Sequence, residues 1–196
     1  MTKYNKRFYR RHLTRNAGWQ YLLAYKLYQL LKPESVIDFG CGIGSILDGF
    51  NISGVPKEDL MGIEPGKRSA KSSMSRHIFR LTHPLDLTKA LTLDRVFDLG
   101  ISLEVGEHIR EEKANVFVEN ITKYTTRLVM TTAEPGDKGV DHVNCQPQEY
   151  WLDKFEEHGF IKNYNITSII KQGCADFYTR PYIQNRLYYL EKTNGI

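Results

Sequence analysis

Glu104, Glu107 and His108 place two carboxylates and an imidazole at i, i+3 and i+4. On a helix that spacing gathers all three on one face. Such a face either collects a divalent cation or has a plainer use, with the acids favouring a helix N-terminus through its dipole and His108 at the surface. Nearer the start, residues 36–44 read VIDFGCGIG. An apolar run with Asp38 in it breaks into Gly40, Gly42 and Gly44 at alternate positions. Glycines at such a turn let the backbone bend sharply and let a nucleotide-like ligand lie against it. A helix beginning at Ser45 would aim its positive end at that ligand. The G-x-G-x-x-G dinucleotide pattern would need glycine at 45, which is serine here. Asp38 would repel a pyrophosphate and suit a ligand carrying an ammonium group.

These groups need a scaffold, and the pattern supplies one. Residues 17–32 have helical periodicity, with Leu22, Leu23, Lys26, Leu27, Leu30 and Leu31 on one face and Pro33 as the stop. Strands are expected at 35–39, 60–64, within 77–82, at 95–102 and at 127–132. Helices are expected at about 44–50, 67–77, 104–123 and 148–158. Two late strands, about 161–170 and 185–192, close the chain. Strands and helices alternate until those last two. The fold class is therefore α/β: a doubly wound, mostly parallel seven-stranded sheet with an antiparallel final hairpin and helices on both faces. In such sheets ligands bind at the carboxyl ends of the strands. Glu64 ends the second strand, where a carboxylate can accept from both hydroxyls of a ribose or simply face solvent. Asp86 follows the third strand and could cap a helix near 88. Ser102 and Leu103 end the fourth.

DFGCGIG resembles motif I of class I S-adenosylmethionine (SAM) methyltransferases, and the element order resembles their seven-stranded fold over nearly the whole chain. The resemblance implies SAM as cofactor, held by Asp38, Gly40, Cys41, Gly42, Gly44 and Glu64. Asp86 would take the adenine amine, and Ser102 and Leu103 would line the methyl group. His142 lies in the loop after the fifth strand. An E-x-x-E-H element followed by such a histidine resembles the small-RNA 3′-terminal 2′-O-methyltransferases. In that family these four side chains, here Glu104, Glu107, His108 and His142, hold a divalent metal. It also resembles the ubiquinone-pathway O-methyltransferases. The gap from His108 to His142 is shorter than in the RNA enzymes, and their RNA-binding modules are absent. The loop H-x-N-x-Q-P-x-E-Y-W is similar to a large group of bacterial and phage SAM methyltransferases. The metal would be Mg²⁺, Mn²⁺, Fe²⁺ or Zn²⁺ and would activate an acceptor hydroxyl. A metal-free version would use His108 or His142 as general base. Asn144, Gln146, Tyr150 and Trp151 form a candidate substrate wall, the two aromatics being equally suited to the core.

Length suits one domain over 17–196 behind a basic arm, 1–16. The net charge of +4 concentrates there: residues 1–15 hold Lys3, Lys6, Arg7, Arg10, Arg11 and Arg15 and no acid. The arm either grips an anionic substrate such as RNA or packs through Tyr4, Phe8 and Tyr9. Cys41, Cys145 and Cys174 have no disulfide or metal-finger spacing, which suits a cytoplasmic protein. No membrane-spanning run or secretory signal is visible. No Asn/Asp-Pro-Pro-Tyr follows the fourth strand, which argues against exocyclic amines of DNA bases. No Pro-Cys stands there, which argues against cytosine C5. The expected activity is SAM-dependent O-methylation of a small hydroxylated molecule or sugar. The rivals are an RNA 3′-terminal 2′-O-methyltransferase and a non-catalytic SAM-binding scaffold. Acceptor and oligomeric state stay open.

Overall fold

The computed structural model describes residues 6–65, 80–82, 85–175 and 185–193. Seven strands form one sheet in the order β3-β2-β1-β4-β5-β7-β6. They are β1 Val36–Phe39, β2 Leu60–Ile63, β3 Arg80–Thr82, β4 Phe97–Leu103, β5 Thr125–Thr131, β6 Phe160–Lys162 and β7 Tyr188–Lys192. The first five run parallel, and β7 enters antiparallel between β5 and β6. This is the doubly wound sheet with an antiparallel final pair that the alternation of elements predicts. The order reverses at β1, between β2 and β4, so the crevice forms beyond its carboxyl end.

The helices are α1 Lys6–Leu31, α2 Ser45–Ser53, α3 Ala114–Tyr124, α4 Gln148–Glu156 and α5 Tyr164–Ala175. Central strands bury both faces, as their unbroken apolar runs require. Val36, Leu60, Leu99, Ile101, Val129 and Tyr189 meet α1, α2 and α5 on one side. Ile37, Phe39, Leu128, Met130, Tyr188 and Leu190 meet α3 and α4 on the other. In α1 the buried stripe is Leu23, Ala24, Leu27 and Leu31, while Leu30 of the expected stripe is exposed.

Two local expectations change, and the first helix is longer than its periodic stretch. Helix α1 begins at Lys6, so it is continuous through the residues expected to form an arm. Residues 164–175 are helix, where a strand over 161–170 is expected. Ile166, Ile170 and Cys174 recur at helical spacing against the core, and Asn163 caps the helix by accepting from the Ile166 amide at 3.0 Å. The helix expected from 104 begins only at Ala114, preceded by two short 3₁₀ turns, Gly106–His108 and Glu111–Lys113. The expected helix at 67–77, together with His77, His83, Phe177, Tyr178 and Tyr182, lies outside the described residues. No described helix is long and apolar enough to cross a membrane.

Candidate functional site

The glycine turn leaves β1 at the crevice. Gly40, Gly42 and Gly44 all have positive φ, +88°, +54° and +81°, a backbone that side-chain-bearing residues rarely adopt. A Cβ on Gly40 would also lie 2.5 Å from Val105 Cγ2, whereas one on Gly42 would meet open space. The turn is closed from below by the amides of Gly40 and Cys41, which donate to the Ile63 carbonyl at 2.8 and 3.0 Å. Glu64, directly after β2, accepts from the Gly42 amide at 3.0 Å. Asp38 is almost wholly buried beside it. Burial first, and the Glu64 carboxylate second, push the Asp38 carboxyl well above its ordinary range. Two carboxylates facing one crevice fit a ligand carrying positive charge. Cys41 is buried in the turn, its thiol raised by burial and by both acids, so it acts as a small apolar residue.

Asp86 lies beyond β3, where Oδ1 accepts from the Thr88 amide and hydroxyl at 3.0 and 2.7 Å. Those bonds hold its pKa below the ordinary value. It closes a turn and caps no helix. Ser102 is fully buried with its hydroxyl unpartnered, and Leu103 is half-buried on the α1 side of the sheet. Ser45, the first residue of α2, likewise has a buried, unpartnered hydroxyl.

The second set assembles past β4, by a route other than a helical face. Glu104 has φ +57°, which turns the chain away from helix at once. Its amide donates to the carbonyl and hydroxyl of Thr131, at 3.1 and 3.0 Å, tying it to the end of β5. Gly106 sits so tightly under Thr132 and Trp151 that a Cβ would lie 2.7 and 2.9 Å from their side chains. The Glu107 carbonyl accepts from the amides of Val143 and Asn144 at 2.9 and 3.0 Å. A long-range loop thus takes the carbonyl that a helix would use.

That loop brings His142 over Glu107 and His108. One ligand atom from each of Glu107, His108 and His142 lies within 4.8 Å of the others. His142 Nε2 is 4.0 Å from Glu107 Oε1, and the two imidazoles stand edge to face with centroids 5.2 Å apart. Glu104 is outside this trio and beside it. Both Glu107 oxygens and Glu104 Oε1 are buried without a hydrogen-bond partner. Burial pushes the Glu107 carboxyl up to about 8, and the Glu104 charge adds to it. Burial raises Glu104 too, against the Thr131 hydroxyl, which steadies its charged form. Orphaned, mutually repelling carboxylates next to two imidazoles fit a divalent cation, which would neutralise the acids and satisfy their oxygens.

Each histidine is held from behind. His108 Nδ1 lies 3.0 Å from the Asp141 carbonyl. A carbonyl only accepts, so Nδ1 carries the proton and Nε2 keeps its lone pair. Burial lowers the His108 pKa, which keeps that ring neutral. Asp141 itself has φ +60°, a left-handed residue placed where it orients a ring. His142 Nδ1 is 3.5 Å from Cys145 Sγ. Its Nε2 occupies the space where a Cβ on Gly139 would stand, 2.0 Å away. Arg186, just before β7, pairs with Asp137 at 2.7 Å and clamps the same loop.

Sequence reasoning missed Asp141, Gly139 and Arg186, and placed Cys145 in no site. Only the His-x-x-Cys spacing from 142 to 145 was available as a signal. Of the expected substrate wall, Asn144 is buried with Nδ2 unpartnered and Oδ1 accepting from Gln146 Nε2 at 3.0 Å. Tyr150 is half-buried, edge-on to Trp151. Trp151 takes its core alternative: its ring is fully buried against Phe117. The concavity at the opposite, amino edge of the sheet is lined by Lys32, Glu34, Arg95 and Asp98, with Arg127 bonded to Asp98 and Arg95 to Asp59.

No protein-family model matches the sequence, and no curated protein matches it. Solved structures do match in fold. The amino pentose methyltransferase CalS10 from Micromonospora echinaspora, with SAM bound, superposes with a TM-score of 0.69 at 14% identity, covering 98% of this chain and 99% of that one. The sugar N-methyltransferase KedS8 from a Streptoalloteichus species gives 0.67 at 12% identity, covering 96% and 92%. The methyltransferase domain of a bacterial Hen1 gives 0.58 at 18% identity, covering 76% and 89%. The chain has the class I SAM-dependent methyltransferase fold.

Proposed function

We propose that this chain is a SAM-dependent methyltransferase that methylates a hydroxyl oxygen of a small molecule or sugar with the help of a divalent cation. The observation that carries this reading is the buried, unpartnered carboxylate of Glu107 facing His108 and His142 at the strand edge that also bears the glycine turn. SAM, when bound, supplies an electrophilic methyl on a sulfonium. Asp38 and Glu64 offer the negative charge that its amino acid and ribose would use. A cation among Glu107, His108, His142 and the adjacent Glu104 would supply Lewis-acid activation of the acceptor hydroxyl. A neutral hydroxyl is a poor nucleophile, so the acceptor must lose its proton as the C–O bond forms and the S–CH₃ bond breaks. His108 or His142 could hold that proton in a version without metal. Ser45, Ser102 and Asn144, each with a buried unpartnered polar atom, are groups suited to orient cofactor or acceptor.

The test is transfer of labelled methyl from SAM to a panel of sugars, polyols, phenols and short RNAs with free 2′,3′-hydroxyls, with and without excess chelator. Transfer to a hydroxylated small molecule, lost with chelator and restored by Mn²⁺ or Mg²⁺, is expected. His142→Ala should lower it by about 10²–10⁴-fold. Full activity in chelator would leave the metal-free reading. Salt-sensitive transfer confined to RNA would move the acceptor to nucleic acid. SAM binding without transfer to any acceptor would leave the scaffold.

A further inference from the structure

We propose that Cys145 is the positioning residue for His142, fixing its tautomer and turning Nε2 toward Glu107. The proposal rests on the metal-assisted reading above only for its consequence in binding; the tautomer itself is a property of the metal-free protein. One arrangement alone makes both contacts of the thiol hydrogen bonds at once. Cys145 Sγ is 3.9 Å from the Asp137 carbonyl, which can only accept, so the S–H points there. Sulfur then presents a lone pair to His142 Nδ1, 3.5 Å away, and in that arrangement Nδ1 is the donor. In a neutral ring this leaves Nε2 unprotonated, the nitrogen that stands 4.0 Å from Glu107. The contacts run from the Asp137 carbonyl through the Cys145 thiol to His142 Nδ1, and they leave Nε2 on the side of Glu107, 4.0 Å away.

The two histidines are thereby anchored by the same logic with different acceptors. His108 donates to a backbone carbonyl, which substitution cannot remove. His142 donates to a side chain, so its anchor is the one that mutation can test. These contacts are fastened at their far end, because Asp137 is itself clamped by Arg186. Cys41 and Cys174 are buried on the α1 side of the sheet.

The experiment compares the full chain with Cys145→Ala and Cys145→Ser. In metal-free protein, ¹H–¹⁵N correlation of the imidazoles should show His142 protonated at Nδ1. Cys145→Ala should shift it to a mixture or to the Nε2–H form, and Cys145→Ser should restore Nδ1–H. Mn²⁺ binding, followed by the loss of the free-ion paramagnetic resonance signal, should weaken by about 10–100-fold in Cys145→Ala and recover in large part in Cys145→Ser, the range expected for removing a second layer of support behind a ligand. The melting temperature of the metal-free proteins should stay within about 2 °C, since the thiol makes only a weak bond. His142 protonated at Nε2 in the unaltered protein would overturn the proposal, as would an unchanged tautomer in Cys145→Ala. If the unaltered protein bound no Mn²⁺, the metal reading would fall while the tautomer still decided the role of Cys145.

Discussion

Glu64 and Asp38 do different work within one crevice, and the difference can be measured. Glu64 is half-buried and accepts from the Gly42 amide. Glu64→Ala removes charge-assisted bonds worth about 1.5–3 kcal/mol each. Calorimetry should show SAM affinity falling by at least about tenfold. Asp38 is buried, and its carboxyl is held well above the ordinary range. In the ligand-free protein the folded state therefore keeps a proton that the unfolded chain has released. Between the two pKa values the unfolded state binds fewer protons, so stability is full below the ordinary carboxylate value and falls as pH rises through the folded one. A cationic ligand favours the charged form and expels that proton. SAM affinity should thus rise with pH through the folded Asp38 pKa and then level off. Titrations in buffers of different ionisation enthalpy should register proton release, and Asp38→Asn should abolish it. A flat profile in the unaltered protein would mean that Asp38 does not meet the ligand's positive charge.

At the scale of elements, the loop between β5 and α4 behaves as a rigid arm for His142. Its backbone is bound to Glu107 through the Val143 and Asn144 amides. The Arg186–Asp137 pair fastens its outer end, and Asp141 turns left-handed to reach His108. Gly139 is the position where this arrangement is most easily upset, because it is exposed and yet its missing Cβ is what admits the His142 ring. Gly139→Ala should leave the melting temperature nearly unchanged, as surface substitutions usually do. It should lower Mn²⁺ affinity by about tenfold or more, since a misplaced ligand atom forfeits coordination geometry. Unchanged affinity would show that His142 can bind with its ring elsewhere.

At the scale of the whole molecule, the two functional sets depend on different packing. The glycine turn leads into α2, and α2 is pressed against α1 so closely that a Cβ on Gly49 would lie 2.7 Å from Ala24 Cβ and 3.0 Å from Tyr21 Cα. Tyr21 reinforces the contact by donating its hydroxyl to Asp48. The Glu107–His108–His142 set hangs instead on β4, β5 and the α3–α4 side, where Trp151 packs against Gly106 and against Phe117. Gly49→Val overpacks the α1–α2 contact and should cost about 1–3 kcal/mol, seen as a melting temperature lower by several degrees. Mn²⁺ affinity of the folded protein should not change. A parallel loss of metal binding would mean that the two halves of the crevice are mechanically coupled.

What the sequence alone determined is everything carried by neighbours in the chain. The apolar run into Gly40, Gly42 and Gly44 marks the end of β1, because positive φ at alternate residues is a local demand that glycine meets locally. The acids Asp38 and Glu64 follow from their places at strand ends, and the alternation of elements is enough for a doubly wound sheet. Glu107, His108 and His142 could be nominated as a set, but the route by which they meet was decided by tertiary structure. Periodicity favours a helix through 104–108; the Val143 and Asn144 amides, more than thirty residues away in the chain, claim the Glu107 carbonyl and stop it. The same long-range docking sinks Trp151 into the core and sets Cys145, Gly139 and Asp141 behind the histidines. No spacing in the sequence encodes those contacts. They exist because burying the loop's polar backbone requires partners, and only the folded sheet edge provides them.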